Sequence, residues 1–463
     1  MKQVPTLRWD RGTILAEHVP PELLPDTFRY DARVRLHRAP AIAYHGAALA
    51  LHKARVEWVD EARAYAVLDR PHKSDRTPRH YQAEALAAWK GAGRRGVVVL
   101  PTGSGKSFVA ELCIRDAGRS ALVVVPTIDL MSQWYDQLAR AFGEPIGLLG
   151  GGHFELEDIT VSTYDSAWMK VEYWGARFGT LVFDEVHHLP GPSYGSAATA
   201  SLAPFRLGLT ATFERPDGAH EEVYDLIGPM VYRKGITELS GNFLAEYRTE
   251  VLTVHLSDED RAAYEDAHHN WRSFLDEEGI RLGGRNGWNN FLRASARSKR
   301  GREAFRAWRR SRTLLDGAPA KLRLVAELLR KHHGARTIIF TNDNASAYEV
   351  SRRLLVPAIT HQTDIKERRA TLAAFSDGSL PTVVTSRVLN EGVDVPEAEV
   401  AIVMSGTATV REHVQRLGRI LRPSADKQAI LYELVVADSS EERRSERRRD
   451  HDAYREAPPG SDA

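Results

Sequence analysis

Two stretches of this chain alternate short apolar runs with amphipathic helical patterns, and the segment between them does not. In the first, residues 96–100, 121–125, 159–162, 181–183 and 206–209 read as buried strands, with helices at 107–117 and 129–142. In the second, strands at 337–341, 358–360, 382–385, 400–404 and 430–434 are interleaved with helices at 321–332, 345–355, 366–376 and 410–417. This alternation predicts two α/β units, each a parallel sheet covered on both faces. Residues 1–70 lack it. Their short alternating stretches at 54–59 and 63–68, punctuated by Pro20, Pro21, Pro25 and Pro40, predict a small mixed α/β domain, and polar 69–78 predicts a linker. Between the units, long polar helices at 264–275 and 300–315 flank the glycine-rich RLGGRNGWNN. The expected organisation is an N-terminal domain over 1–70, α/β units over 71–251 and 316–438, an insertion over 252–315 and a charged tail over 439–463. The tail's SSEERRSERRRD reads as a solvated helix extension and its APPGSDA as disordered.

The length of 463 residues fits about three structural units, and 43% hydrophobic residues suffice for real cores. A net charge of +1 excludes a global attraction to nucleic acid, so any basic surface must be local. It lies in the insertion. Within 285–312, Arg285, Arg293, Arg297, Lys299, Arg300, Arg302, Arg306, Arg309, Arg310 and Arg312, ten cations against Glu303 alone, leave an excess of about nine. Trp271, Phe274, Trp288, Phe291, Phe305 and Trp308 are interleaved with them. Either Arg306, Arg309, Arg310 and their neighbours hold nucleic-acid phosphates while aromatics stack on bases, or the aromatics line the inside of a helical hairpin and the arginines are solvated. The single cysteine, Cys113, excludes a disulfide framework and a cysteine zinc site, and its helical position predicts a buried thiol. With no apolar signal core and no apolar run long enough to span a membrane, a cytoplasmic location is expected.

The candidate chemistry starts at Leu100–Phe108, LPTGSGKSF, between a strand and a helix. Glycines that let the backbone turn, followed by Lys106 and Ser107, make a phosphate cradle: amides and a helix N-terminus face an anion, the lysine reaches the β/γ-phosphates and the serine hydroxyl reaches Mg²⁺. Leu100 stands where the strict pattern has a glycine. Strand 181–183 delivers Asp184 and Glu185, suited to hold Mg²⁺ and to position a water; alternatively the two acids begin the next helix. His187 and His188 are too close in sequence to chelate one ion, and no partner stands at i+4, so a hydrogen-bond relay to the phosphate site is preferred. Thr210 and Thr212 either bridge the carboxylates to a moving element or cap a turn. Arg419 and Arg422, three apart after Gln415, either face a triphosphate or form a basic surface helix.

Taken in order, PTGSGKS (101–107), DEVH (184–187), TAT (210–212) and QRLGRILR (415–422) resemble a superfamily 2 helicase over about residues 79–438. Four longer runs, DEVHHLP (184–190), GLTATFERPDGAHE (208–221), VLNEGVDVPEA (388–398) and MSGTATVREHVQRLGRILRPS (404–424), are similar to the XPB (xeroderma pigmentosum group B) helicases, in their short archaeal and bacterial form. The resemblance implies an α/β fold with two RecA-like parallel-sheet motor domains, an N-terminal domain resembling a damage-recognition module, and a helical thumb-like insertion. It implies an ATP- and Mg²⁺-dependent 3′–5′ motor that opens duplex, forked or bubble DNA in repair or transcription, with a structure-specific nuclease as partner. An RNA-directed ATPase and a DNA-binding scaffold that recruits a nuclease are the rivals.

Residue by residue, the resemblance assigns Arg79 and Gln82 to adenine. Pro101, Thr102, Gly103, Ser104, Gly105, Lys106 and Ser107 go to the phosphates, Ser107 and Asp184 to Mg²⁺, and Glu185 to the attacking water. Gly392 and Asp394 would meet nucleotide or DNA, and Gln415, Arg419 and Arg422 would complete the site. Thr127, Thr163 and Thr385 match motifs that hold a strand's phosphates without reading bases. The family's Arg-Glu-Asp after TAT, linked to strand separation, stands here as Arg215-Pro216-Asp217. The proline removes a charge and fixes φ, which bears on duplex opening and leaves hydrolysis and translocation expected.

Overall fold

In a computed structural model, which describes residues 4–214, 218–239, 246–282, 287–386, 398–405, 428–442 and 445, the chain divides into two units, the first running to Lys234 and the second starting at Gly235, with Thr102–Ser104 grouped with the second. The first unit holds two sheets. The smaller contains β1 (Thr6–Asp10), β2 (Thr13–Glu17), β3 (Arg29–Asp31), β4 (Leu36–Pro40) and β5 (Val59–Glu61), in the order β3-β4-β2-β1-β5. Its pairings are antiparallel except for β1 with β5. Helix α1 (Tyr44–Lys53) contributes Ala47 and Leu51 to a core with Leu7 and Ile14. Of the alternating stretch 54–59 only Val59 enters a strand, β5, because α1 runs to Lys53 and Arg55, at φ 53°, turns the chain; the stretch 63–68 makes a single bridge, Val67 to Arg119.

The larger sheet has the order β13-β6-β12-β11-β7-β10-β8-β9. After α2 (His80–Gly91), the chain runs through β6 (Arg95–Val99), α3 (Lys106–Ala117), β7 (Ala121–Val125), α4 (Ile128–Phe142), β8 (Gly147–Gly150), β9 (His153–Glu155) and β10 (Ile159–Thr163). It continues through α5 (Tyr164–Met169), α6 (Val171–Trp174), β11 (Thr180–Phe183), α7 (Tyr194–Thr199), β12 (Phe205–Thr210), α8 (Glu221–Leu226) and β13 (Met230–Arg233). Every pairing is parallel except β8 with β9. A parallel sheet is covered on both faces, so β7, ALVVV, is buried along its whole length. Helix α4 shows the matching logic. Met131, Trp134, Leu138, Ala141 and Phe142 fall on its buried face, Thr127 caps its start, and Gly143, at φ 76°, ends it.

The expected linker and the residues just before it are docked. Leu68 donates its amide to the Gly118 carbonyl (3.0 Å), Ser120 to that of Ala66 (3.0 Å) and Lys73 to that of Ala141 (2.7 Å). These bonds satisfy backbone groups that an irregular segment running across the domain would otherwise leave unpaired.

The second unit contains α9 (Ile236–Leu239), β14 (Glu246–Val254), α10 (Asp258–Glu277), α11 (Gly287–Arg297), α12 (Lys299–Asp316), α13 (Pro319–Lys331), β15 (Thr337–Phe340), α14 (Asn344–Leu354), β16 (Ala358–Ile359), α15 (Ile365–Ser376), β17 (Thr382–Thr385), β18 (Val400–Val403) and β19 (Gln428–Val436). Its all-parallel sheet has the order β14-β19-β18-β15-β17-β16. Strand β14 pairs with β19 along its length, so residues 246–251, assigned by pattern to the first α/β unit, belong to the second sheet. The insertion holds three helices rather than two, since α11 follows directly on residues 283–286. The tail's Glu441 is not solvated: it is buried against Lys321. The helix expected at 410–417 lies outside the described residues. Among the described residues no helix is long and apolar enough to cross a membrane.

Candidate nucleotide and nucleic-acid site

Strands β6, β12, β11, β7 and β10 run parallel, so their carboxyl ends share one edge of the first sheet. Register aligns Val99 with Thr210, Phe183 with Val124 and Thr163 with Val125. The phosphate loop, the acidic pair and three of the predicted threonines therefore emerge together, where open α/β sheets place ligands. Gly103 and Gly105 turn the loop at φ 83° and 80°. A Cβ at 105 would also stand 2.7 Å from Gln82 Nε2, so a side chain there would have to displace the end of Gln82. Gln82 Oε1 accepts the Arg79 amide (3.0 Å) at the start of α2, and the Arg79 guanidinium donates to the Tyr81 hydroxyl (3.3 Å). Lys106 opens α3 with Nζ 3.4 Å from the Pro101 carbonyl, and Ser107 follows it.

Asp184 is buried, and both its oxygens are engaged. Oδ2 accepts Trp134 Nε1–H (2.9 Å), and Oδ1 accepts the Glu185 amide (3.0 Å). Burial raises its pKa, while the Lys106 charge and the Trp134 hydrogen bond pull the other way. Glu185 occupies the left-handed region at φ 48°, uncommon for a residue with a side chain, and a short 3₁₀ turn over Val186–His188 follows. The two acids thus stand immediately before that 3₁₀ turn, with Glu185 at its N-cap. Glu185 Oε2 is buried and accepts no hydrogen bond, and His187 Nδ1 stands 3.4 Å from it. The same Nδ1 lies 3.1 Å from Thr210 Oγ1. Thr210 donates its proton to the Thr212 carbonyl (2.8 Å), so its oxygen acts as acceptor and the imidazole proton sits on Nδ1. His187 thus links Glu185 to the end of β12, and among the described residues no group of three or more His, Cys, Asp or Glu could hold a metal. The oxygen-only pair of Ser107 and Asp184 suits a hard cation such as Mg²⁺.

Sequence reasoning did not find Trp134, nor Tyr164, whose hydroxyl donates to the Asp184 carbonyl (3.0 Å). Both sit on buried faces where packing already accounts for an aromatic. Cys113 is buried as expected, and burial pushes its thiol up.

Thr127 Oγ1 accepts the Leu130 amide (3.2 Å) and Thr163 Oγ1 that of Ser166 (3.3 Å), capping α4 and α5. Thr210, Thr212 and Thr385 are buried: the Thr210 hydroxyl donates to the Thr212 carbonyl (2.8 Å), and that of Thr385 donates to the Ser386 carbonyl (3.2 Å). In the insertion, Trp271, Phe274 and Phe291 are core, Phe305 and Trp308 pack against them, and only Trp288 reaches 39% exposure. The aromatics line the helical bundle rather than offering a stacking surface. The arginines divide differently. Arg300 binds Glu277 (3.2 Å), whereas Arg302, Arg306, Arg309 and Arg310 are exposed with no ion-pair partner among the described residues. Positions 302, 306 and 309 recur at helical spacing on α12 and share one face. Arg215, Asp217, Arg285, Gly392, Asp394, Gln415, Arg419 and Arg422 lie outside the described residues.

A protein of Sulfurisphaera tokodaii, DNA 3'-5' translocase XPB2, is 38% identical over 96% of this chain and 99% of its own length. The chain belongs to the XPB family. Two bacterial relatives named DNA 3'-5' helicase XPB, from Kineococcus radiotolerans and Mycobacterium tuberculosis, are each 32% identical over 79% and 75% of this chain, which spans only 60% and 59% of their lengths. Family profiles agree by region: the XPB damage recognition domain over 7–62, the type III restriction enzyme res subunit over 75–215, and the ERCC3/RAD25/XPB C-terminal helicase over 302–452. The Pyrococcus furiosus Hef helicase domain superposes over 80% of this chain and 98% of its own, with a TM-score of 0.53 and 18% identity, a likeness of fold.

Proposed function

We propose that this XPB-family chain is an ATP-dependent 3′–5′ DNA translocase that opens or remodels duplex DNA in repair. One observation carries the reading: the phosphate loop and Asp184-Glu185 share an edge, and Glu185 is tied through His187 to Thr210, at the end of the strand between them. The triphosphate is held by the loop amides, Lys106 and the N-terminus of α3. Ser107 and Asp184 hold Mg²⁺, which neutralises charge developing on the transferred phosphoryl group. Glu185, whose Oε2 stands 3.4 Å from His187 Nδ1, orients the attacking water. The names of the relatives support DNA as the polymer and 3′–5′ as the direction. The exposed face of α12, with Arg306, Arg309 and Arg310, supplies sequence-blind phosphate contacts.

Steady-state ATPase with matched single strands tests this. DNA should stimulate turnover more than RNA, and Lys106→Ala should abolish it; equal stimulation by RNA would move the reading to an RNA-directed ATPase. Unwinding should require a 3′ tail. Replacing Pro216 with Glu, the residue the family carries there, should speed unwinding without changing the ATPase rate; identical unwinding by both forms would separate residues 215–217 from strand separation.

A further inference from the structure

Glu111 lies on α3, the helix that opens at the phosphate loop, and its side chain is fully buried. Its neighbours Val109, Ala110, Leu112, Cys113 and Ile114 are apolar core, so packing alone does not call for a carboxylate here. A buried carboxylate is costly unless donors satisfy it, and this one has three, from two other segments. His72 Nε2 donates to Oε1 (2.9 Å), while Arg76 Nη2 (2.5 Å) and Gln137 Nε2 (3.0 Å) donate to Oε2.

His72 and Arg76 belong to the segment that leads into Arg79 and α2. That segment is fastened along its length. Arg70 Nη1 donates to the Pro145 carbonyl (2.7 Å), the Lys73 amide to that of Ala141 (2.7 Å), and the Arg76 guanidinium lies 4.2 Å from the centre of the Phe108 ring. Phe108 directly follows Ser107. Three residues beyond Arg76 comes Arg79, whose amide is held by Gln82, and Gln82 Nε2 stands against Gly105. One buried carboxylate therefore joins the approach to Arg79 and Gln82 to the helix that carries Lys106 and Ser107.

We propose that Glu111 is a positioning residue for nucleotide recognition. Through His72 and Arg76 it fixes Arg79 and Gln82 relative to the phosphate loop, and so sets affinity and selectivity for the base rather than for the triphosphate. This rests on the ATP site proposed above.

The test uses the full chain with saturating DNA. It measures kcat and KM for ATP and for inosine triphosphate, which lacks the adenine amino group, and inhibition by inorganic triphosphate, which lacks a base altogether. Arg76→Ala removes one donor at a side chain 53% exposed and leaves His72 and Gln137 on Glu111, and Glu111→Gln removes the anchor itself; thermal midpoints are measured for both. Both should raise KM for ATP about tenfold with kcat within about twofold, and bring the two nucleotides' KM values together. Inhibition by inorganic triphosphate should not change, and Arg76→Lys should restore part of the preference. If affinity for ATP and for inorganic triphosphate fell together, Glu111 would be supporting the phosphate loop alone; if neither moved, the coupling would not exist. Either result overturns the proposal. Should Glu111→Gln fail to fold, Arg76→Ala and His72→Ala decide the matter in the same way. Lys106→Ala, run alongside, separates the two claims: full turnover in that variant would remove the ATP site itself, whereas a dead Lys106→Ala with unchanged base preference in Arg76→Ala would reject only the role of Glu111.

Discussion

At Asp184 the indole of Trp134 decides which way a carboxylate faces. The hydrogen bond holds Oδ2 at 2.9 Å, and Trp134→Phe would leave that oxygen buried without its donor, a cost of about 1–3 kcal/mol. The expected outcome in a Mg²⁺ titration of ATPase activity is a several-fold rise in half-saturation with little change in rate at saturating Mg²⁺; an unchanged titration would show that Trp134 only packs. Thr210→Val removes the acceptor for His187 Nδ1–H and should lower kcat by about tenfold, equivalent to about 1.4 kcal/mol of lost orientation. Comparing kcat with thermal midpoint for that variant separates misorientation from unfolding. Residues of this kind differ in how legible they are. Lys106, Ser107, Asp184 and Glu185 can be read from sequence because phosphate chemistry needs those types at the end of a strand. Trp134 cannot, because the apolar stripe of α4 already accounts for it.

At the scale of elements, the insertion shows where pattern reading stops. Aromatics at helical spacing look the same whether they face a core or a ligand, and only the three-helix packing turns Trp271, Phe274 and Phe291 inward. Phe291→Ala should cost about 3–5 kcal/mol, read as a lower denaturation midpoint. Replacing Arg306, Arg309 and Arg310 together with Ala should leave folding intact and flatten the salt dependence of DNA binding, by about 0.9 in log–log slope for each DNA phosphate no longer neutralised. An unchanged slope would mean that these guanidinium groups face only water. Strand β14 escapes local reading for a different reason: its partner β19 lies near the far end of the chain, beyond any local window.

For the whole molecule, the two α/β alternations were legible because a parallel sheet imposes its rhythm on the sequence, whereas the boundary between the units was not. Long-range ties set it. The pairing of β14 with β19 is one, and the fully buried Lys321 amine between both oxygens of Glu441 (2.8 and 2.7 Å) is another. Removing one partner strands a buried charge, so Glu441→Gln should cost about 3–5 kcal/mol in a urea melt, while the double change Lys321→Met with Glu441→Leu should recover much of it. Equal losses in the single and double variants would contradict a paired buried charge. Similarly, the docked segment 64–73 makes the N-terminal domain part of the first unit rather than an appendage on a linker.

All of this depends on nucleotide hydrolysis at the sheet edge that carries Lys106 and Glu185. The direct measurement is the rate of ATP hydrolysis by the full chain with Mg²⁺, with and without single-stranded DNA, for the native sequence and for Glu185→Gln. The account predicts DNA-stimulated turnover in the native chain and a loss of about a hundredfold or more in the variant, with DNA binding retained. Undiminished, DNA-stimulated turnover by Glu185→Gln would contradict it.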